Sequence, residues 1–390
     1  MDLVTQLLSD LVRIPSVNPM GRAGATRADG FFETDVTNYL ETYLTAQGVT
    51  CHRVPVSPGR DNLFAYYEAP NPGKRLLFDA HQDTVPVEGM IVPPFGAHIE
   101  GGRLYGRGAC DIKGGLAAMV LAFLRLVRER PKHSASVVLA LTVDEEYTHM
   151  GSSAIAKLPP EGIDLAIVAE PTRFDLITTH KGAVRWKIES RGTACHSSTP
   201  DRGDNAIYRM SRVLHVLQRH AQELQGSTPD PILGAPSLSV GTIHGGVSPN
   251  VVPDECVIEL DRRVIPGENP DHVPTLVTEA LRLHLSAEDF DQLAFHVPWV
   301  RMPALRSSVS SSTLEILSQC VARQTGRNPL VSGVPFGTDA GPLGQIGIPC
   351  VVLGPGDIAQ AHTKDEWIDL DQLRYAVDVY FDLACCLGAS

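Results

Sequence analysis

This 390-residue sequence has no excess of basic residues. It has 33 Lys and Arg against 45 Asp and Glu, which gives a formal net charge of −12. A nucleic-acid-binding protein needs a basic surface, and docking on an anionic membrane needs clustered cations. We therefore expect neither nucleic acid nor a membrane surface as a partner.

Long apolar runs and paired cysteines are absent as well. No stretch is long and apolar enough to span a bilayer. The N-terminal MDLVTQLLSDLVRIPS has no cationic start and no continuous apolar core, so it predicts an amphipathic helix, not a signal peptide. The eight cysteines are scattered without a CxxC pair. In a chain of this length they favour reduced thiols in a cytoplasmic protein over a disulfide framework.

The order of helix and strand patterns predicts an α/β fold with an insertion. Near-continuous apolar runs over 134–143 and 164–169 are typical of central strands covered on both faces. After Lys181 the strands alternate apolar and charged residues, and the order becomes β-α-β-β-α-β. We expect a catalytic domain with a mixed, mainly parallel sheet flanked by helices, over 1–180 and 296–390. A ferredoxin-like α+β domain is expected over 181–295.

Acids and histidines stand where the predicted strands end, which is where ligands bind in open α/β sheets. These candidates are His81 and Asp83, Asp111 at the start of a helix, Glu145 and Glu146, Glu170, and His362 after a short loop. Each of them alone has an ordinary interpretation, such as a helix N-cap for Asp111. Together, at one rim of one sheet, two His and three carboxylates predict a site for two divalent cations with open positions for water.

Two acids of this set are predicted to do something other than ligate. Asp83 lies two residues after His81 in an extended segment, so it can accept the other ring N–H and fix the tautomer. Glu145 directly precedes a ligand and cannot point the same way, which suits a general base facing the substrate.

The same residues lie in motifs that resemble one enzyme family: the two-zinc amidohydrolases that include acetylornithine deacetylase, succinyl-diaminopimelate desuccinylase, aminoacylases and glutamate-releasing carboxypeptidases. The resembling stretches, in the family's order, are FDAHQDTVP, GRGACDIKGG, TVDEEYTHMGS, VAEPT, GTACHSSTP, SPNVVPDECVIELDRR, FGTDAGPL and GPGDIAQAHTKDEWI. They run from residue 78 to residue 368, which makes the joint resemblance very specific.

The resemblance implies a role for each position. His81 with Glu170 would bind one zinc, His362 with Glu146 the other, and Asp111 would bridge them. Cobalt or manganese can occupy such ligands too. Asp83 would orient His81, Glu145 would be the base, and the peptide bond after Asp111 would be cis.

The resemblance also implies that the inserted domain is a dimerisation lid. His196 would reach the active site of the partner in a homodimer and steady the oxyanion. Asn250 and Arg263 would hold the substrate, with Arg263 gripping a carboxylate, and Thr338 would lie beside the substrate. Without the resemblance, a surface salt bridge is the simpler interpretation of Arg263.

FGTDAGPL, AHTKDEW and the preceding GPG favour the acetylornithine deacetylase branch, which implies a small N-acyl amino acid as substrate and a place in arginine biosynthesis. Desuccinylation and dipeptide or glutamate-releasing carboxypeptidase activity stay open. So do two other classes: a non-catalytic metal-binding member of the fold, and an enzyme that uses Cys110 or Cys195 as its nucleophile.

Overall fold

The computed structural model describes residues 1–71, 73–157 and 161–388. The chain forms two compact units. The first comprises Met1–Thr178, Arg306–Gly333 and Thr338–Ser390, and the second comprises Thr179–Leu305 and Val334–Gly337. Among the described residues, no helix is both long and apolar enough to cross a membrane.

The α-helices, in chain order, are α1 (Leu3–Arg13), α2 (Thr34–Ala46), α3 (Lys113–Glu129), α4 (Met150–Lys157), α5 (Ala206–Gln225), α6 (Val273–His284), α7 (Ala287–Asp291), α8 (Ser311–Thr325), α9 (Ala340–Gln345) and α10 (Leu370–Gly388). The β-strands are β1 (Cys51–Ser57), β2 (Arg60–Tyr67), β3 (Arg75–His81), β4 (His98–Glu100), β5 (Arg103–Tyr105), β6 (Ser136–Thr142), β7 (Leu165–Val168), β8 (Leu176–His180), β9 (Gly182–Arg191), β10 (Ser237–Gly245), β11 (Glu255–Val264), β12 (Leu293–Phe295), β13 (Val300–Met302), β14 (Leu305–Arg306), β15 (Val331–Val334), β16 (Cys350–Val352) and β17 (Trp367–Asp369).

A central sheet organises the first unit, with neighbouring strands in the order β1-β2-β6-β3-β7-β16-β8. Its middle is parallel: β3 pairs in parallel with β6 and β7, and β7 with β16. Every residue of β6 and β7 is buried, as the apolar runs predict. Alternate residues of β3 and β6 pack into a core shared with α1, α3 and α10.

The second unit has a sheet of its own, in the order β10-β11-β9-β12. Val184, Trp186 and Ile188 of β9 are fully buried against α5 and α6, while the residues between them are half exposed. The elements follow the predicted β-α-β-β-α-β order, so the mixed α/β fold class with its α+β insertion is confirmed. This unit extends to Leu305, beyond the expected 295, because β13 also pairs with β9.

Candidate metal centre

The parallel strands bring the predicted ligands to one edge of the sheet. His81 is the last residue of β3, Glu145 and Glu146 come just after β6, and Glu170 follows β7. Parallel strands end at the same edge, so these side chains are neighbours although 89 positions separate the first from the last. Asp111 lies in the loop before α3. Its peptide bond to Ile112 is cis, which confirms the cis bond expected after Asp111.

Asp111 stands between the two histidines. Its Oδ1 is 3.3 Å from His81 Nε2, and its Oδ2 is 3.2 Å from His362 Nε2. A second carboxylate lies near the same nitrogen of each imidazole: Glu170 Oε1 is 4.0 Å from His81 Nε2, and Glu146 Oε2 is 3.1 Å from His362 Nε2. Two half-sites that share one carboxylate result.

Asp83 supports this arrangement through both its backbone and its side chain. Its carbonyl oxygen is 3.0 Å from His81 Nδ1, and its Oδ1 is 3.5 Å from the same nitrogen. Its carboxylate also accepts the backbone N–H groups of Glu145 at 3.1 Å and Glu146 at 3.2 Å. One buried acid thus fixes the ring of His81 and the turn that carries Glu145 and Glu146.

The buried carboxylates of this site favour the binding of cations. Burial raises the pKa of Glu145 and of Glu170 well above the ordinary range, and neighbouring carboxylates raise both further. Burial alone would raise the pKa of Asp111 too, but the adjacent imidazoles of His362 and His81 outweigh it and hold that pKa low. Carboxylates crowded out of water need a positive charge that they can share.

The donor set fits divalent metal ions. His81 with Asp111 and Glu146, and His81 with Glu145 and Glu170, each offer ligand atoms within 4.8 Å of one another. Within the described residues, the buried atoms His81 Nε2 and Glu146 Oε1 have no hydrogen-bond partner. Imidazole nitrogen and carboxylate oxygen left without protein partners are what zinc and similar ions bind.

Most of the chain, including every residue of the two half-sites, matches one known protein family. Residues 77–385 match the model of "Peptidase family M20/M25/M40". The chain belongs to that family.

Relatives of this M20 chain are named as enzymes for different amides. It is 31% identical over 346 residues to an acetylornithine deacetylase of Myxococcus xanthus, covering 86% of this chain and 87% of that one. It is 26% identical over 405 residues to a "probable succinyl-diaminopimelate desuccinylase" of Staphylococcus aureus, covering 96% and 95%. The structure of an M20 metallo-carboxypeptidase from Sulfolobus solfataricus matches all of both chains with a TM-score of 0.81 at 20% identity. Family and fold are therefore shared, and the names differ in substrate.

Glu145 has surroundings of its own in this M20 chain. Its Oε2 is 3.9 Å from His81 Nε2, and its Oε1 is 3.6 Å from His149 Nδ1. His149 is held in turn by Asp339, whose Oδ1 is 3.2 Å from the same ring nitrogen. Ser152 and Thr142 donate hydrogen bonds to that aspartate as well. Glu145 therefore lies between His81 of the half-site and a buried group of polar side chains formed by His149 and Asp339.

Sequence reasoning missed several supporting residues. Asn18 donates to Asp83 and to Asp144, both at 2.8 Å, and Arg60 pairs with Glu33 and Asp144 in the same buried network. Asn18 in PSVNPMG has the appearance of a turn residue, and no local pattern points to a contact so distant in the sequence. His149 was visible only as the fourth residue after Glu145.

The remaining predicted site residues are divided between the units. His196 and Asn250 are neighbours in the second unit, because His196 bridges to Val251 and the N–H of Ser197 donates to the carbonyl of Asn250 at 3.1 Å. Arg263 Nε donates to Asp261 Oδ1 at 2.7 Å in the same unit, so the salt bridge expected without the resemblance is present. Thr338 is in the first unit and fully buried.

The two cysteines considered as nucleophiles do not have the required surroundings. Cys110 is buried, burial and the nearby Glu366 raise the pKa of its thiol well above the ordinary value, and its Sγ donates to the carbonyl of Asp357. Cys195 Sγ is 3.3 Å from the carbonyl of Thr199, whereas the Nδ1 of the adjacent His196 faces Ser198. A reactive thiolate needs a cationic or basic partner, so neither fits.

Proposed function

We propose that this chain is a hydrolase that uses two divalent metal ions to cleave the amide bond of small N-acyl amino acids, as an acetylornithine deacetylase does. The observation that carries the proposal is the position of Asp111, whose two oxygens face the imidazoles of His81 and His362 from opposite ends. Glu170 and Glu146 complete the two half-sites. Zinc is the proposed metal, with cobalt or manganese as substitutes.

When bound, two such ions supply Lewis acidity and lower the pKa of a water molecule. The chain's own residues do the remaining work. Glu145, buried beside the His81 half-site, accepts the proton of the attacking water and delivers it to the leaving nitrogen. Asp83 keeps His81 in one tautomer, and the proposed role of His196 is to donate a hydrogen bond to the oxyanion from a partner subunit.

Substrate choice within the family is part of the proposal. The relative at 31% identity supports N-acetylornithine, and the match at 26% identity keeps N-succinyl-diaminopimelate as the second candidate. In the proposed complex, Asn250 and Arg263 hold the substrate, Arg263 binds its carboxylate, and Thr338 lies beside the substrate. The free thiols of all eight cysteines, each in a described range, support the proposed cytoplasmic location.

Purified protein should be assayed with N-acetylornithine, other N-acetyl amino acids, N-succinyl-diaminopimelate and a dipeptide, before and after removal of metal with a chelator. We expect fastest release of acetate from N-acetylornithine, loss of turnover without metal, and recovery on adding Zn²⁺. No release from any N-acetyl amino acid would reject the deacetylase proposal. Activity that survives complete metal removal would reject metal-assisted hydrolysis altogether.

A further inference from the structure

One buried carboxylate outside the ligand set links the loops that carry Asp111 and His362. Glu366 is fully buried and lies four residues after His362. Its Oε1 accepts the backbone N–H of Cys110 at 2.9 Å and of Asp111 at 3.0 Å. Its Oε2 accepts the N–H of Gly108 at 3.1 Å and a guanidinium N–H of Arg107 at 2.7 Å.

These four donors fill the acceptor capacity of the carboxylate. An ionised carboxylate has about four lone-pair positions, and each oxygen of Glu366 already accepts two N–H groups. It therefore has no position left for a metal ion, although it lies beside a ligand. All four of these hydrogen bonds come from the loop from Arg107 to Asp111, three of them from backbone N–H groups.

Glu366 is itself held in place by the chain that follows it. The next residues form β17, where Trp367 pairs with Tyr105 and Ile368 with Leu104 of β5. The backbone carbonyl of Glu366 also accepts the N–H of Gly106 at 3.0 Å. The segment after His362 is thus hydrogen-bonded to β5 and to Gly106, which precede Asp111 in the chain.

We infer that Glu366 is a positioning residue that sets the place of Asp111 relative to His362, so that both oxygens of Asp111 meet their imidazoles. This inference rests on the proposed two-metal function. Hydrogen bonds to the backbone of a ligand act like other outer contacts of metal sites, whose removal typically costs about 10–100-fold in metal affinity.

The test is a calorimetric titration with Zn²⁺ of metal-free wild-type protein and of Glu366→Gln, at a temperature where circular dichroism shows both to be folded. In either orientation, the amide turns two acceptor positions into donors that face N–H groups of the loop. We expect zinc affinity to fall by about 10–100-fold and the zinc bound at a fixed free concentration to drop below two per chain.

Asp289→Asn is the matched control. It makes the same carboxylate-to-amide change in an ion pair of the second unit, where Asp289 accepts Arg212 Nε at 2.7 Å. A general loss of stability would lower the melting temperature of both variants, whereas only Glu366→Gln should lose zinc. Glu366→Asp keeps the charge with a shorter reach and should lose less affinity than the Gln variant.

If Glu366→Gln does not fold, Glu366→Asp decides alone, and wild-type zinc affinity in the folded Asp variant overturns the inference. Equal zinc affinity in wild type and in folded Glu366→Gln overturns it as well, while the two-metal proposal stands. Wild-type protein that binds no Zn²⁺ would instead remove the proposed function, and this inference with it.

Discussion

Glu145 and Glu146 are adjacent in the chain, yet their carboxylates face different groups. Glu146 Oε2 is 3.1 Å from His362 Nε2, as a ligand of that half-site would be. Glu145 has no contact so short to either imidazole and lies 3.6 Å from His149. Asp144 before them has a left-handed φ of 64°, a conformation that costs free energy in a non-glycine residue and is common at functional sites. The turn thus separates the proposed metal ligand Glu146 from the proposed general base Glu145.

This separation predicts opposite results for the two carboxylate-to-amide substitutions. Glu145→Gln should retain wild-type metal content but lower kcat by about 10²–10⁴-fold, because it removes the proton acceptor. Glu146→Gln should instead lower the metal content. Metal analysis and steady-state kinetics on the same preparations check both, and near-normal turnover of Glu145→Gln would remove Glu145 from the role of base.

At the scale of elements, the start of α3 is packed directly under the loop that presents Asp111. A Cβ added to Gly114 would lie 2.6 Å from the carbonyl oxygen of Ala109 and 2.6 Å from Ile368 Cδ1. The backbone oxygen cannot yield unless the loop moves. The adjacent Gly115 is less confined, since the nearest atom to its added Cβ is Ala169 Cβ at 3.1 Å.

Gly114→Ala should therefore destabilise the protein by about 1–3 kcal/mol through overpacking, and weaken zinc binding with it. Gly115→Ala is the control, because both variants gain the same helix propensity and differ mainly in the clash. Urea unfolding and zinc titration of the pair check the prediction. Equal stability and zinc affinity in the two variants would show that the Ala109 contact does not constrain the loop.

Asp2, at the start of α1, connects this helix to α10 through an ion pair whose strength depends on pH. Asp2 Oδ1 accepts the N–H of Thr5 at 2.9 Å as the helix N-cap, and its Oδ2 accepts Arg374 Nε of α10 at 2.8 Å. Partial burial would raise the pKa of Asp2, but the hydrogen bonds from Thr5 and Arg374 outweigh it and lower the pKa to about 2. The folded protein therefore stabilises the ionised form.

Asp2→Ala should lower the free energy of unfolding by about 1 kcal/mol at neutral pH, through loss of the cap. Since the folded pKa is about 2 and the ordinary value is 3.8, the part due to charge is complete above pH 3.8 and is lost as the pH falls from 3.8 towards 2. Urea unfolding of both proteins at pH 7 and pH 3 measures this. A difference that widens at pH 3 would contradict it.

At the scale of the whole molecule, the sequence predicted what periodicity and strand order can convey. Buried strands such as β6 and β7 are apolar throughout, and β9 alternates, so the layers and the rim that holds His81 and Glu170 followed from pattern alone. The three-stranded sheet of β17, β5 and β4 did not, because strands of three residues are too short to show a period. Glu366 was missed because it meets Cys110 across 256 positions, a contact that only the fold creates.

Two of the predicted site residues lie in the second unit, away from the metal half-sites in the sequence. His196 and Asn250 are neighbours there, and the half-sites built on Asp111 belong entirely to the first unit. The proposed role of His196 in a partner's active site can be tested without any structure of a dimer. His196→Ala and Glu145→Gln should each be nearly inactive alone, since each removes one group from every active site.

Mixed dimers of the two variants separate action across subunits from action within one. If His196 serves its partner, the His196→Ala subunit has an intact Glu145 and receives His196 from the Glu145→Gln subunit, so one complete site forms per mixed dimer. Random exchange makes about half of all dimers mixed, and activity should recover to about a quarter of the wild-type value. Co-expression with two affinity tags isolates the mixed dimer, and sedimentation confirms its size. A mixed dimer as inactive as its parents would place His196 within its own subunit's site or outside the chemistry altogether.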